Sequence, residues 1–292
     1  MKPHVIALIT QKGGVGKTST CMHLSAPFVE LGKRVLLVDM DPQANLTQGI
    51  FGSAETEALH PSVTIAAVFS DDTDPDPDTL IRKTHIEGVD IVPGSWHLND
   101  YDYPQPASQG EYQFSLRNFV SEVEDDYDIV LIDCRPSLNL LSWNALLAST
   151  HLMVPFQPED YGAQGIVYIQ KCVDAVVAGP NSRLRLLGYL LTKVARRSLH
   201  RTFETILRNF YGEDVFENMV LDATQYPEAV SHHLPVGLYK KKSKQAQAMR
   251  DLAAEVLTRV EEGKSQPPRF LYMGNRSNPV QEQVTKPIRK VG

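Results

Sequence analysis

The chain is poor in several things, and each scarcity excludes a class of protein. Of 292 residues only three are cysteine, Cys21, Cys134 and Cys172, an odd number, widely spaced and without a C-x-x-C pair. That pattern argues against a disulfide framework and against a dedicated zinc site, and the three are expected to be buried thiols. No stretch approaches the eighteen or so consecutive apolar residues of a membrane span, and the N-terminus enters a strand-like run without a signal sequence. No membrane partner and a cytoplasmic location are therefore expected. Positive charge is also in short supply. The formal net charge is −6, and from Lys264 onward six Lys or Arg stand against one Glu, net +5, which leaves −11 for residues 1 to 263. An acidic body excludes nucleic-acid binding over the whole surface, so any such contact has to be a local patch.

What is present centres on Gln11-Lys12-Gly13-Gly14-Val15-Gly16-Lys17-Thr18, between an apolar run, Val5 to Ile9, and a helix-like run from Ser19 to Leu31. The glycines let backbone N–H groups converge on phosphate oxygens, Lys17 can reach the outer phosphates, and the Thr18 hydroxyl can take a place on a magnesium ion. Gly13, Gly14, Val15, Gly16 and Ser19 complete the candidate nucleotide-binding set. The common phosphate-loop pattern G-x-x-x-x-G-K-[ST] fails at one place, where Gln11 replaces glycine, and a second lysine, Lys12, stands beside it. A glycine-rich turn that binds nothing is the alternative; the strand before and the helix after speak against it.

Two more apolar runs end in carboxylates. Arg34 to Val38 leads into Asp39-Met40-Asp41-Pro42-Gln43, and Tyr127 to Ile132 leads into Asp133. Continuous apolar runs suit strands buried on both faces of a parallel sheet, whose C-terminal ends face the ligand crevice. Asp133 has the position of a carboxylate that holds magnesium, directly or through water, across from Thr18. Asp39 and Asp41 could instead cap the next segment. Further elements are expected as a short helix near 62–69, a strand at 89–92, an irregular surface excursion at 99–109, a helix at 113–123, a helix at 139–149, strands at 151–155 and 186–192, and a final helix at 243–261 with a core-facing stripe of Met249, Leu252, Ala253, Val256, Leu257 and Val260. Asp71, Asp72, Asp74, Asp76 and Asp78 lack the glycine and glutamate of a calcium loop and read as solvated surface. His232 and His233, without a third ligand, read as surface histidines.

The double-lysine loop, the D-M-D-P-Q run with Ala44 to Thr47 after it, and Asp133-Cys134-Arg135-Pro136-Ser137-Leu138 resemble, in order, the motifs of the deviant Walker A family, and of its ParA partition ATPases in particular. The resemblance covers roughly residues 4 to 260. It implies an α/β fold with a mostly parallel twisted sheet flanked by helices, ATP and Mg2+ as cofactors, and a homodimer formed on ATP binding, with Lys12 crossing to the partner's phosphates. It implies that Asp41 orients the hydrolytic water while Asp39 supports the magnesium shell, so that Lys12, Lys17 and Asp41 are the catalytic set and Thr18, Asp39 and Asp133 the metal set. Phe156-Gln157-Pro158-Glu159 matches a family dimer contact. An arginine just past the strand at 186–192 contacts DNA in that family, and Arg197 is the best match. Arg196 and Arg201 cluster with it, and Lys240, Lys241 and Lys242 could replace arginines that the family carries near Asp222 to Ala229, in a loop that helps hold adenine. Arg135 stands where the family usually has proline.

The expectation is thus an ATPase switch that binds duplex DNA without sequence preference in its ATP state, associates with the nucleoid, and is released when a ParB-like partner stimulates hydrolysis. No helix-turn-helix precedes the phosphate loop, which suits the short form of the family. Domain boundaries are expected at 1–262 for the ATPase and 263–292 for a basic tail whose prolines predict no stable structure of its own. A MinD-like membrane switch needs a C-terminal amphipathic helix, which the proline-broken tail does not offer. An iron–sulfur electron donor needs more cysteine than Cys134. A cargo-positioning ATPase that contacts only protein remains open.

Overall fold

The computed structural model describes residues 2–72, 75–158, 163–195, 197–261 and 263, with backbone only for 163–168. Asp74, Glu159, Arg196 and the tail from Lys264 lie outside the described residues. Seven strands form one sheet: β1 (His4–Leu8), β2 (Val35–Met40), β3 (Arg82–Lys83), β4 (Val89–Val92), β5 (Ile129–Cys134), β6 (His151–Phe156) and β7 (Arg185–Leu191), in the spatial order β3-β4-β2-β5-β1-β6-β7. Every pairing is parallel except β3 with β4. The helices are α1 (Lys17–Glu30), α2 (Asn45–Phe51), α3 (Ser53–Glu57), α4 (Pro77–Leu80), α5 (Ser115–Glu122), α6 (Leu140–Ala148), α7 (Ala163–Ala178), α8 (Ser198–Tyr211), α9 (Gln225–Ser231), α10 (Val236–Tyr239) and α11 (Lys244–Glu261).

Successive strand residues point to opposite faces, and the apolar runs at 5–9, 35–40 and 129–134 are buried throughout because both faces are covered. Val5, Ala7, Leu36, Val38, Val130 and Ile132 pack with α5 and α6 on one side. Ile6, Leu8, Val35, Leu37, Ile129 and Leu131 pack with α1 and α11 on the other. The stripe on α11 is seated as its periodicity requires, with Met249, Leu252, Ala253 and Val256 buried and Leu257 and Val260 packed at the margin. The same helix carries a buried cation. Arg259 donates to the carbonyls of Leu187 and Val215, at 3.0 Å each, pairs with Glu255 at 2.8 Å and lies over the Phe216 ring. This fastens α11 to the outer strand β7.

Several expectations are refined or corrected. The short helix near 62–69 is present, in the form of two 3-10 turns, Pro61–Val63 and Ile65–Phe69. Ile65 gives its N–H to Pro93 O at 2.8 Å, which ties the start of the second turn to the chain just past β4. The helix expected from 113 begins at Ser115, after a 3-10 turn over Gly110–Phe114. The excursion at 99–109 is partly ordered, with 3-10 turns at Trp96–Tyr101 and Pro106–Ser108, and Leu98 is fully buried. Cys21 and Cys134 are buried, whereas Cys172 is only partly so. His233 is not a plain surface residue either: its ring is half-buried, with Nδ1 3.2 Å from Gly49 O.

His23, on α1, is fully buried, and its Nδ1 accepts from Val236 N at 3.1 Å, tying α1 to α10. Burial holds its pKa down to about 4, and does the same for His151. The unfolded chain therefore binds protons that the folded chain refuses between about pH 6.5 and pH 4, so stability is full above pH 6.5 and falls as pH drops, by about 3 kcal/mol for each histidine across the window. His23→Asn keeps an acceptor and removes the titration. Urea unfolding between pH 7 and pH 4 should show a stability slope reduced by roughly half of the two-histidine contribution in that variant.

Candidate functional site

The strand order places the C-terminal ends of β2, β5 and β1 side by side. Asp133 lies in register with Leu8 on one flank and Asp39 on the other, so the phosphate-loop candidate and both carboxylate ends meet at one point. Gly14 and Gly16 take left-handed conformations, φ +74° and +91°, which a side chain would strain, and α1 starts at the next residue, Lys17. No acidic side chain occupies the first turn of α1, so its free N–H groups and positive dipole end are available to an anion. Lys17 is 6% exposed, with its ammonium 3.4 Å from Lys12 O. A cavity of about 560 Å³ is lined by Gly13, Gly14, Gly16, Lys17, Thr18, Ser19 and Asp41, with Pro136, Lys193 and His233 on its other walls.

One residue of the loop faces inward. Val15 is fully buried, and its carbonyl accepts from Thr192 Oγ1 at 2.6 Å. Lys12 is exposed. Thr192, 1% exposed just past β7, also lies 3.1 Å from Phe156 O, so it pins the loop to two strand ends. Nothing in the sequence around Thr192 marks it for this role, since it is only the last residue of an apolar run.

The three carboxylates differ. Asp39 is fully buried and saturated, with Oδ2 accepting from Thr47 N at 2.9 Å and Thr47 Oγ1 at 2.7 Å, and Oδ1 from Asp41 N at 3.3 Å. Burial, opposed by the Thr47 bonds, pushes its pKa up to about 6. Thr47 Oγ1 in turn accepts from Gly94 N at 2.8 Å, and a Cβ on Gly94 would stand 2.8 Å from the Asp39 carboxyl carbon, so only glycine permits this approach. Asp133 is equally buried, yet neither of its oxygens meets a donor at full hydrogen-bond geometry, although the Thr18 hydroxyl lies close enough to lower its pKa. Burial and the neighbouring Asp39 raise its pKa well above the usual carboxylate range, and Thr18 and Lys17 only partly oppose this. Two incompletely bonded oxygens beside a threonine hydroxyl and an ammonium are what a hard cation would complete. Asp41 lines the cavity, with Oδ1 accepting from Gln43 N at 3.0 Å.

A second cavity of about 470 Å³ shares Gly16, Ser19, Lys193 and Val230 with the first, and continues along Leu221, Asp222, Tyr226 and Pro227. Farther out, Arg197 stands immediately before α8, without a side-chain capping bond, and Arg201 is exposed on the helix's first turn. Lys241 and Lys242 are exposed between α10 and α11, while Lys240 is paired with Glu228 at 2.6 Å. Among the described residues no three His, Cys, Asp or Glu side chains converge as a ready-made metal cage, His232 and His233 included. Nor is any described helix long and apolar enough to cross a membrane.

Comparison with known proteins bears on this geometry. A family model described as an AAA domain matches residues 3–186. The chromosome-partitioning ATPase Soj of Thermus thermophilus is 36% identical over 88% of this chain and 96% of its own length. The chain belongs to the ParA/Soj family of partition ATPases. The sporulation initiation inhibitor protein Soj of Bacillus subtilis is 34% identical over 86% of this chain and 97% of its own. Among solved structures, the cobyrinic acid a,c-diamide synthase of Mycobacterium smegmatis, with bound ATP analog and magnesium, aligns at a TM-score of 0.75 and 27% identity, covering 92% of this chain and 100% of that one. The doubly covered parallel sheet of this ParA/Soj member is therefore the expected fold, confirmed in its strand order and in its structural relatives.

Thr192 gives the first test of this geometry. Thr192→Val keeps the shape but leaves the buried Val15 carbonyl without its donor, a loss of about 1–3 kcal/mol of stability. Titration calorimetry should show weakened nucleotide binding in this variant, because the loop loses its inner anchor while every phosphate-facing group remains.

Proposed function

We propose that the chain is an ATP-dependent dimeric switch that partitions DNA. The observation that carries the reading is Asp133, a fully buried carboxylate near the end of β5 whose oxygens lack full hydrogen bonds, beside Thr18 and Lys17 of the glycine-rich loop. Thr18 and Asp133 would hold Mg2+, which would offset the charge of the outer phosphates. The absence of a three-residue cage among the described residues suits that ion, which takes few protein ligands and completes its shell with water and phosphate. Gly13 to Ser19 would cradle the phosphates, with Lys17 as the fixed inner cation. Asp41 would orient the attacking water. Asp39, occupied by Thr47 and Asp41, would support the magnesium shell by holding that loop in place. The second cavity, beside Ser19, would take the base.

Exposed Lys12 supports a dimeric reading, in which the lysine answers the phosphates of a second copy. Arg197 and Arg201 on α8, with Lys241 and Lys242, would form the local patch through which the ATP dimer holds duplex DNA, and a ParB-like partner would stimulate hydrolysis and release it. Lys240 contributes less, since Glu228 already answers its charge. Arg196 belongs to the same expectation, outside the described residues, and the basic tail is the competing source of DNA affinity.

Lys17→Ala should abolish ATP binding by calorimetry; unchanged affinity would remove the basis of the assignment. Asp41→Ala should bind ATP, lose hydrolysis and accumulate as a dimer in light scattering with ATP and Mg2+.

DNA binding is tested separately. Affinity should appear only with ATP and fall steeply with salt. Arg197→Glu should weaken it equally on unrelated sequences and flatten the slope of log K against log salt by about 0.9 for each phosphate that the protein no longer neutralises. Truncation after Gly263 that by itself abolished binding, with Arg197→Glu silent, would move DNA recognition to the tail.

A further inference from the structure

The excursion between β4 and α5 is tied into the site at two points. At its start, Gly94 N donates to Thr47 Oγ1, which donates to Asp39. Near its middle, Asp102 Oδ2 accepts from Arg135 Nη1 at 2.6 Å and from Asn139 Nδ2 at 3.0 Å, while Leu140 N donates to Tyr103 O at 3.0 Å. Arg135 and Asn139 belong to the loop that follows Asp133, and Pro136 in that loop lines the phosphate cavity, 4.0 Å from where a Cβ on Gly13 would stand. The pair is not a solvated surface bridge. The Asp102 side chain is 7% exposed, and its Oδ1 and the Arg135 Nε are buried without partners. A charge removed from water in this way holds its partner far more tightly than a surface ion does, because losing one partner strands the other. Proline would stiffen the same position in the loop by fixing its backbone, but only a long cation reaches across to the excursion.

We propose that Arg135 and Asp102 are a positioning pair for ATP hydrolysis: together they hold Pro136 over the phosphate loop and couple that loop to the Trp96–Tyr103 excursion. The proposal rests on the ATPase reading above. Neither residue touches the reacting atoms. Their effect runs through the placement of the 135–139 loop against Gly13 and Asp133, so it should appear in turnover and not in the affinity set by the cradle. Trp96 is 62% exposed on the excursion and offers a native reporter, whereas Trp143 is buried in α6.

The test uses the full chain with Arg135→Gln, Asp102→Asn, Arg135→Lys and the Gln/Asn double variant. ATP affinity, steady-state turnover and the ATP-induced change in Trp96 emission are measured, the last isolated by comparison with Trp96→Phe. Each of Arg135→Gln and Asp102→Asn should lower turnover by about tenfold or more, as small misplacements of a reacting assembly do, with ATP affinity kept within about twofold. The double variant should be no slower than the worse single one, because the two act as a unit. Arg135→Lys, which keeps the charge without the planar fork, should recover part of the rate. The Trp96 response should shrink in step with turnover. Asp102→Asn is nearly isosteric and carries the test if an arginine variant does not fold. Unchanged turnover in Asp102→Asn, or affinity that falls in parallel with turnover, overturns the proposal. Lys17→Ala separates the two levels: if ATP binding depends on Lys17 while the pair's variants turn over normally, only the pair's role falls, whereas an unsubstituted chain that does not bind ATP overturns both.

Discussion

Two carboxylates stand side by side in a dry place at the centre of this protein. Asp39 and Asp133 are in register on adjacent strands and both are fully buried, an arrangement that repulsion and desolvation oppose together. The chain resolves it unequally. Asp39 is enclosed by Thr47 and the Asp41 backbone, while Asp133 is left incompletely bonded beside Thr18 and Lys17. A structural core has no use for an incompletely bonded buried carboxylate, since an apolar residue of similar size would be more stable there. The feature makes sense as half of a site whose other half, cation and phosphate, arrives with the ligand.

The rest of the fold keeps those strand ends in place. Only a parallel sheet with β1 between β5 and β6 and β2 beyond β5 delivers a phosphate loop and two carboxylates to one edge. Such strands must be apolar on both faces, so both faces need cover, which α5 and α6 give on one side and α1 and α11 on the other. The buried Arg259 extends this logic to the outer strand, where it satisfies two carbonyls that would otherwise face α11 unbonded.

Much of this was legible because it is local in sequence. The Gly-rich loop, the Asp39-Met40-Asp41 ending and the run before Asp133 announce themselves within a few residues, and period-3.6 spacing gave α11 its buried face. The unread parts are contacts between residues far apart in the chain. Thr192 reaches Val15 across 177 positions and Arg135 reaches Asp102 across 33, and neither leaves a periodicity or a motif. The helix near 62–69 was legible, but not its 3-10 form nor the backbone bond from Ile65 to Pro93 that ties it to the sheet end. His233 looked like half of a surface pair because its partner, the Gly49 carbonyl, belongs to another helix.

The two walls of the phosphate cavity are built from different materials. On the β7 side the loop is anchored from within: Thr192 is buried and bonded to the carbonyl of the loop it supports, and Lys193 after it reaches the cavity. On the β5 side the wall is an exposed proline in a loop held by an ion pair with unpartnered atoms at its core. A buried neutral bond and a largely buried ion pair both cost free energy to break, so each holds its side of the cavity while the fold stands. Both flanks of the phosphate loop are thereby set by the fold itself, one by Thr192 and the other by the loop that Arg135 and Asp102 hold, so the cradle is preorganised before any ligand arrives.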